Sequence, residues 1–112
     1  MENFFDLCAG ARGIHEQMLA ASQIHGVAGS CLFAAYLLKV TLTKFGRCHA
    51  TIRGGDGDLG EGAKGVDGRW HGHYWVEFID PAGDTFVADI TADQFGYECV
   101  VLLPLCATGG RY

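Results

Sequence analysis

The apolar positions early in the chain recur with a helical period. Ile14, Met18, Ala21 and Ile24 fall near one line of a 3.6-residue repeat, which predicts an amphipathic packing helix over residues 12–24 that stops near Gly26. After the small-residue loop HGVAGS, the run CLFAAYLLKVTLTKF is apolar nearly all round. Cys31, Ala35, Leu38, Leu42 and Phe45 make one stripe, and Leu32, Phe33, Tyr36, Leu37 and Val40 cover most of the remainder. Such a helix is expected inside a domain. Ser30 stands where an N-cap would accept from the first-turn amides, and Gly46 suits the left-handed position that closes a helix. The pattern then becomes strand-like: CHATIR (48–53), WHGHYWVEFI (70–79), DTFVADI (84–90) and YECVVLLPL (97–105) are rich in aromatic and β-branched residues. Residues 54–69 hold seven glycines in sixteen positions, so they are expected to form a long loop, either a lid or a plain connection. Helices come first and strands follow. The expected fold class is therefore α+β: N-terminal helices, including a buried central helix starting at Cys31, packed on an antiparallel sheet of about four strands.

The turn DPAGD fixes one register. If Pro81, Ala82 and Gly83 form a three-residue loop with Gly83 left-handed, Asp80 opposes Asp84, Trp75 opposes Asp89 and His73 opposes Thr91. His73 and Asp89 then share a face as a diagonal pair, within reach of one another's side chains. A four-residue loop would reverse the parity and separate them. His71 points to the same side as His73 but lies farther along the strand.

Composition narrows the function classes. A chain of 112 residues fits one domain, residues 1–112, and a hydrophobic fraction of 49% excludes wholesale disorder. Thirteen acidic against eight basic residues give a net charge of −5, which repels a phosphate backbone, so no nucleic-acid partner is expected. The amino terminus lacks the pattern of a targeting signal and the apolar runs are short for a membrane span, so the expectation is a soluble, cytoplasmic protein without a membrane partner. Five cysteines, Cys8, Cys31, Cys48, Cys99 and Cys106, are an odd number without a CxxC pair, which suits free thiols in a reducing compartment. The segment DGDLGEGAKGVD fails as a calcium loop, because Glu61 occupies the sixth position and Asp67 the twelfth.

Cys31 is the candidate nucleophile. A helix start carries partial positive charge and unpaired amides, which favour thiolate over thiol and can also donate to the oxygen of a tetrahedral intermediate. The competing reading is a small core residue. His73 as base and Asp89 as its orienting acid shift the balance towards chemistry, since a carboxylate among the apolar neighbours of FVADIT needs a partner. His71, His73, Asp89 and a cysteine could instead be zinc ligands, but the spacings that mark zinc sites are absent, and no metal is expected.

Taken in order, GSC opening an apolar helix, then HYWVEF, then VADITADQF resemble the Cys, His, Asp set of the transglutaminase-like branch of the papain-like superfamily, most closely its small bacterial and phage cysteine peptidases. The resemblance spans residues 29–96. It implies a papain-like or transglutaminase-like core in which Cys31, His73 and Asp89 form a catalytic triad, no cofactor is used, and a protein or peptide is the substrate. The implied reaction is thiol-dependent acyl transfer on an amide bond through a thioester. Water as acceptor makes a peptidase, amidase or deamidase, an amine makes a cross-linking transglutaminase, and a non-catalytic binding module that keeps the fold is the alternative class. Two positions depart from the pattern: Leu32, not tryptophan, follows the nucleophile, and no glutamine stands close upstream. Gln23, Ser30 and Trp75 are the secondary candidates for oxyanion or substrate contacts.

Overall fold

The computed structural model describes residues 3–22, 30–55, 62–109 and 112. Two helices, α1 (Phe4–Ala21) and α2 (Cys31–Phe45), precede six strands: β1 (His49–Gly55), β2 (Ala63–Lys64), β3 (Trp70–His71), β4 (His73–Ile79), β5 (Thr85–Asp89) and β6 (Val101–Pro104). The main sheet is antiparallel in the order β1-β4-β5-β6, while β2 and β3 pair separately. The expected α+β arrangement of two helices on a four-stranded antiparallel sheet is the one observed. No helix among the described residues is long and apolar enough to cross a membrane.

Helix α1 departs from the sequence expectation in both extent and face. It begins at Phe4 because the Asn3 side chain caps it, accepting from the Asp6 amide at 3.3 Å. Its buried positions are Cys8, Ala11, His15 and Leu19, while Ile14 and Met18 are exposed. The small side chains of Cys8 and Ala11 let the helix approach its neighbours closely, which outranks the hydrophobicity of the opposite face. Helix α2 begins at Cys31 and ends at Phe45 as expected, but it is not a buried central helix. Only Ala34, Ala35, Leu38 and Leu42 are buried, and Leu32, Phe33, Tyr36, Val40 and Phe45 are exposed. Burying a leucine such as Leu38 or Leu42 stabilises by about 1.5–3 kcal/mol, so this one stripe suffices to dock the helix.

Two cap expectations also change. Ser30 makes no side-chain cap bond, because its hydroxyl pairs with His15 Nε2 at 2.9 Å. The left-handed residue after α2 is Arg47 (φ 55°), while Gly46 keeps right-handed geometry. Glycine is required at 46 for space, since a Cβ there would lie 2.8 Å from the Leu42 carbonyl oxygen.

The hairpin register matches the three-residue loop. Val76 pairs Ala88 and Ile79 pairs Thr85, the Asp80 amide donates to the Asp84 carbonyl at 2.9 Å, and Gly83 is left-handed at φ 92°. Val76, Phe78 and Ala88 join Leu38 and Leu42 in the helix-facing core. By strand alternation, His73, Trp75 and Asp89 belong to the opposite face of the sheet. Within the expected loop 54–69, β1 extends to Gly55 and Ala63–Lys64 pairs with Trp70–His71, while residues 56–61 lie outside the described residues.

Candidate active site

The three candidate residues come from three elements. Cys31 is the first residue of α2, His73 opens β4 immediately after Gly72, and Asp89 closes β5. His73 and Asp89 are buried, at 0% and 1% exposure, whereas Cys31 is half-buried, so the cysteine is the most accessible residue of the set.

His73 Nε2 and Asp89 Oδ2 are 2.6 Å apart. The N–H on Nε2 donates to the carboxylate, and a neutral ring therefore keeps Nδ1 bare. Nδ1 is the remaining ring nitrogen, and His73 together with the Tyr74 and Cys31 backbone amides favours ionisation of the Cys31 thiol. Asp89 is fully engaged: Oδ1 accepts from the Thr91 amide at 3.0 Å and hydroxyl at 3.4 Å, and Oδ2 also accepts from the Tyr112 hydroxyl at 2.7 Å. A buried carboxylate held by this many donors cannot swing away from the ring it orients.

The electrostatics follow from these contacts. Burial pushes the Cys31 thiol up, but the hydrogen bond with His73, the two amides and the imidazolium charge together outweigh it, and the thiol lies below its ordinary range. Burial likewise opposes a charged His73, yet the Asp89 and Cys31 hydrogen bonds and charges dominate and the imidazole is pushed up to about 9. The pair thus favours thiolate and imidazolium. Cys8 shows the contrast: burial, followed by the neighbouring Cys48, pushes its thiol up to about 12.

Aromatic rings enclose the imidazole. Phe95 meets His73 edge-on with centroids 4.7 Å apart, Trp75 stacks near it at 6.1 Å, and Tyr112 packs on Trp75 at 4.9 Å. Trp75 is itself buried, so it forms a wall of the site. His71 has other partners, stacking on Phe95 at 4.9 Å with Nε2 3.2 Å from Asp67. Among the described residues, no group of three or more His, Cys, Asp or Glu could hold a metal ion. Ser30 lies beside Cys31 but its hydroxyl pairs with His15, and Gln23 lies outside the described residues.

Four contributors were not singled out from the sequence: Gln94, Phe95, Tyr112 and Arg12. Gln94 and Phe95 lie on the 3-10 turn Ala92–Phe95, and Gln94 Nε2 is 3.4 Å from His73 Nδ1. Arg12, from α1, pins that turn: it donates to the Ile90 carbonyl at 2.7 Å and to both Asp93 carboxylate oxygens at 2.8 and 2.9 Å. Such bidentate geometry fixes orientation as well as distance. Gln94 and Phe95 do stand in the quoted VADITADQF segment, but nothing in its spacing shows which way the turn folds back.

Comparison of the chain with protein-family models, with curated proteins and with solved structures finds no match.

Proposed function

We propose that the protein is a cysteine hydrolase or acyltransferase in which Cys31 attacks an amide carbonyl, His73 manages the proton and Asp89 orients the imidazole. The observation that carries this reading is a partly buried cysteine at a helix start whose ionisation is favoured by His73, a buried imidazole with Nε2 2.6 Å from a buried carboxylate. A structural cysteine has no need of that arrangement. The order of the three residues, and a nucleophile-bearing helix laid on the antiparallel sheet that supplies the other two, support a papain-like core of the transglutaminase-like kind.

In the reaction, the sulfur of the ion pair adds to the carbonyl carbon, and His73 delivers its proton to the departing amine, leaving a thioester on Cys31. Attack on that thioester by water, with His73 now accepting the proton, regenerates the thiol and releases an acid. The enclosing rings of Phe95, Trp75 and Tyr112 keep the His73–Asp89 bond dry, which strengthens it. The substrate class is a protein or peptide amide, with water as the acceptor that needs no second binding site.

Site-resolved alkylation with iodoacetamide, read by peptide mass spectrometry in wild type and in His73→Ala, tests the reading without a known substrate. Near neutral pH Cys31 should react about tenfold or more faster than the exposed Cys99 and Cys106, and His73→Ala should erase the difference. Equal labelling of the three thiols in both proteins would instead indicate a non-catalytic module.

A further inference from the structure

Among the described residues two histidines are buried, His73 and His15, and the chemistry above uses only the first. Resting on the acyl-transfer reading, we propose that His15 is a positioning residue of the nucleophile: through Ser30, its ring holds the start of α2 in register with His73.

His15 lies on the inner stripe of α1 with Cys8, Ala11 and Leu19, where an apolar side chain of similar size would strand no polar atom. Its Nδ1 is sealed from solvent without a hydrogen-bond partner among the described residues, so for stability alone the imidazole is a poor choice. What the ring supplies is one bond between elements. Nε2 lies 2.9 Å from the Ser30 hydroxyl, fifteen residues along the chain, and the ring stacks on Phe33 at 5.9 Å. Burial, followed by the Arg12 charge, holds the imidazole below its usual range against the opposing Glu16, so the ring that makes this bond is neutral near pH 7.

Ser30 transmits the hold to Cys31. Its side chain makes no cap bond to α2, and its carbonyl accepts from the Ala34 amide at 3.0 Å, the bond that opens the helix. Fixing Ser30 therefore fixes the first turn, and helix ends are where local opening begins most readily. The same stretch of α1 reaches the other half of the site. Arg12 clamps Asp93 at 2.8 and 2.9 Å and the Ile90 carbonyl at 2.7 Å, and the turn so held brings Phe95 edge-on to His73 at 4.7 Å. Positions 12 and 15 are neighbours on one helix surface, so a single turn of α1 sets the start of α2 against the surroundings of the base. No step of the reaction passes through His15, which acts only by where it puts Ser30.

The expected signature is a loss of reactivity without a loss of stability. Alkylation of Cys31 by iodoacetamide is read against the exposed Cys99 in the same sample, with thermal melts alongside. His15→Leu, of similar volume and without polar atoms, should melt at or above the wild-type temperature while Cys31 reacts about tenfold more slowly. Ser30→Ala should slow Cys31 by a similar factor, and the double variant should be no slower than either single one. His15→Gln, whose amide can meet the Ser30 hydroxyl, should keep most of the wild-type rate. An unchanged Cys31 rate in either single variant, additive slowing in the double variant, or slowing that merely follows a lowered melting temperature would overturn the proposal while the nucleophile stands. Should His15→Leu fail to fold, the Ser30→Ala rate decides alone. Wild-type Cys31 reacting no faster than Cys99 would instead remove the acyl-transfer reading itself, and the positioning role with it.

Discussion

At the scale of single residues, the chemistry depends on how charge is shared between one sulfur and one ring. Because His73 is pushed up to about 9, the imidazolium persists beside the thiolate through neutral pH and disappears as pH rises past that value. An anionic alkylating agent senses the cation and a neutral one does not. The ratio of iodoacetate to iodoacetamide rates at Cys31 should therefore be high near neutrality and fall around pH 9, and in Asp89→Asn the fall should move to lower pH because the carboxylate that retains the proton is gone. A flat ratio from about pH 6 to 10 would contradict a charged His73. These three residues were legible in the sequence because a helix-start cysteine and two strand positions of fixed parity are local properties. Gln94 and Tyr112 were not, since their approach depends on a turn pinned by Arg12, 81 residues away, and on the packing of the final residue over Trp75.

Among the elements, the close approach of β1 to β4 at Gly54 fixes where His73 sits. Gly54 pairs with Tyr74 and has φ 140°, and a Cβ built on it would lie 2.1 Å from the His73 carbonyl oxygen. That contact is with backbone, which cannot step aside without moving His73. Gly83 is also left-handed but has open space around it. Gly54→Ala should therefore cut Cys31 alkylation by about tenfold or more along with stability, whereas Gly83→Ala should lower stability by about 1 kcal/mol and leave reactivity intact, as read by thermal melts and mass spectrometry. The strands and hairpin were readable from alternation and from PAG as a turn. The buried faces of the helices were not, because Cys8, Ala11, Ala34 and Ala35 are buried for their small size while larger Phe33 and Tyr36 stay outside. Hydrophobic patterning favours large side chains and overlooks close approach.

For the whole molecule, the buried pair makes stability depend on pH with a definite sign. His73 has its folded pKa raised from 6.5 to about 9, so its contribution is complete below about 6.5 and is lost as pH rises through about 9. Asp89→Asn, which leaves a buried ring without its counter-charge, should cost about 3–5 kcal/mol near pH 6. The gap in Tm between it and wild type should narrow above pH 9, leaving only the part due to the Thr91 and Tyr112 hydrogen bonds. A gap that widens with alkalinity would reverse the assignment of charge. The α+β class was legible from element order alone, since helices that precede an antiparallel meander have one efficient way to cover it. One feature of that architecture reaches beyond folding: the sulfur rides on a helix docked by a single stripe of alanines and leucines, while the ring and carboxylate are woven into neighbouring inner strands. A slight lifting of the helical layer would part the sulfur from the ring with every strand still in place, so on the proposed reading the reactivity of Cys31 reports how firmly α2 is seated.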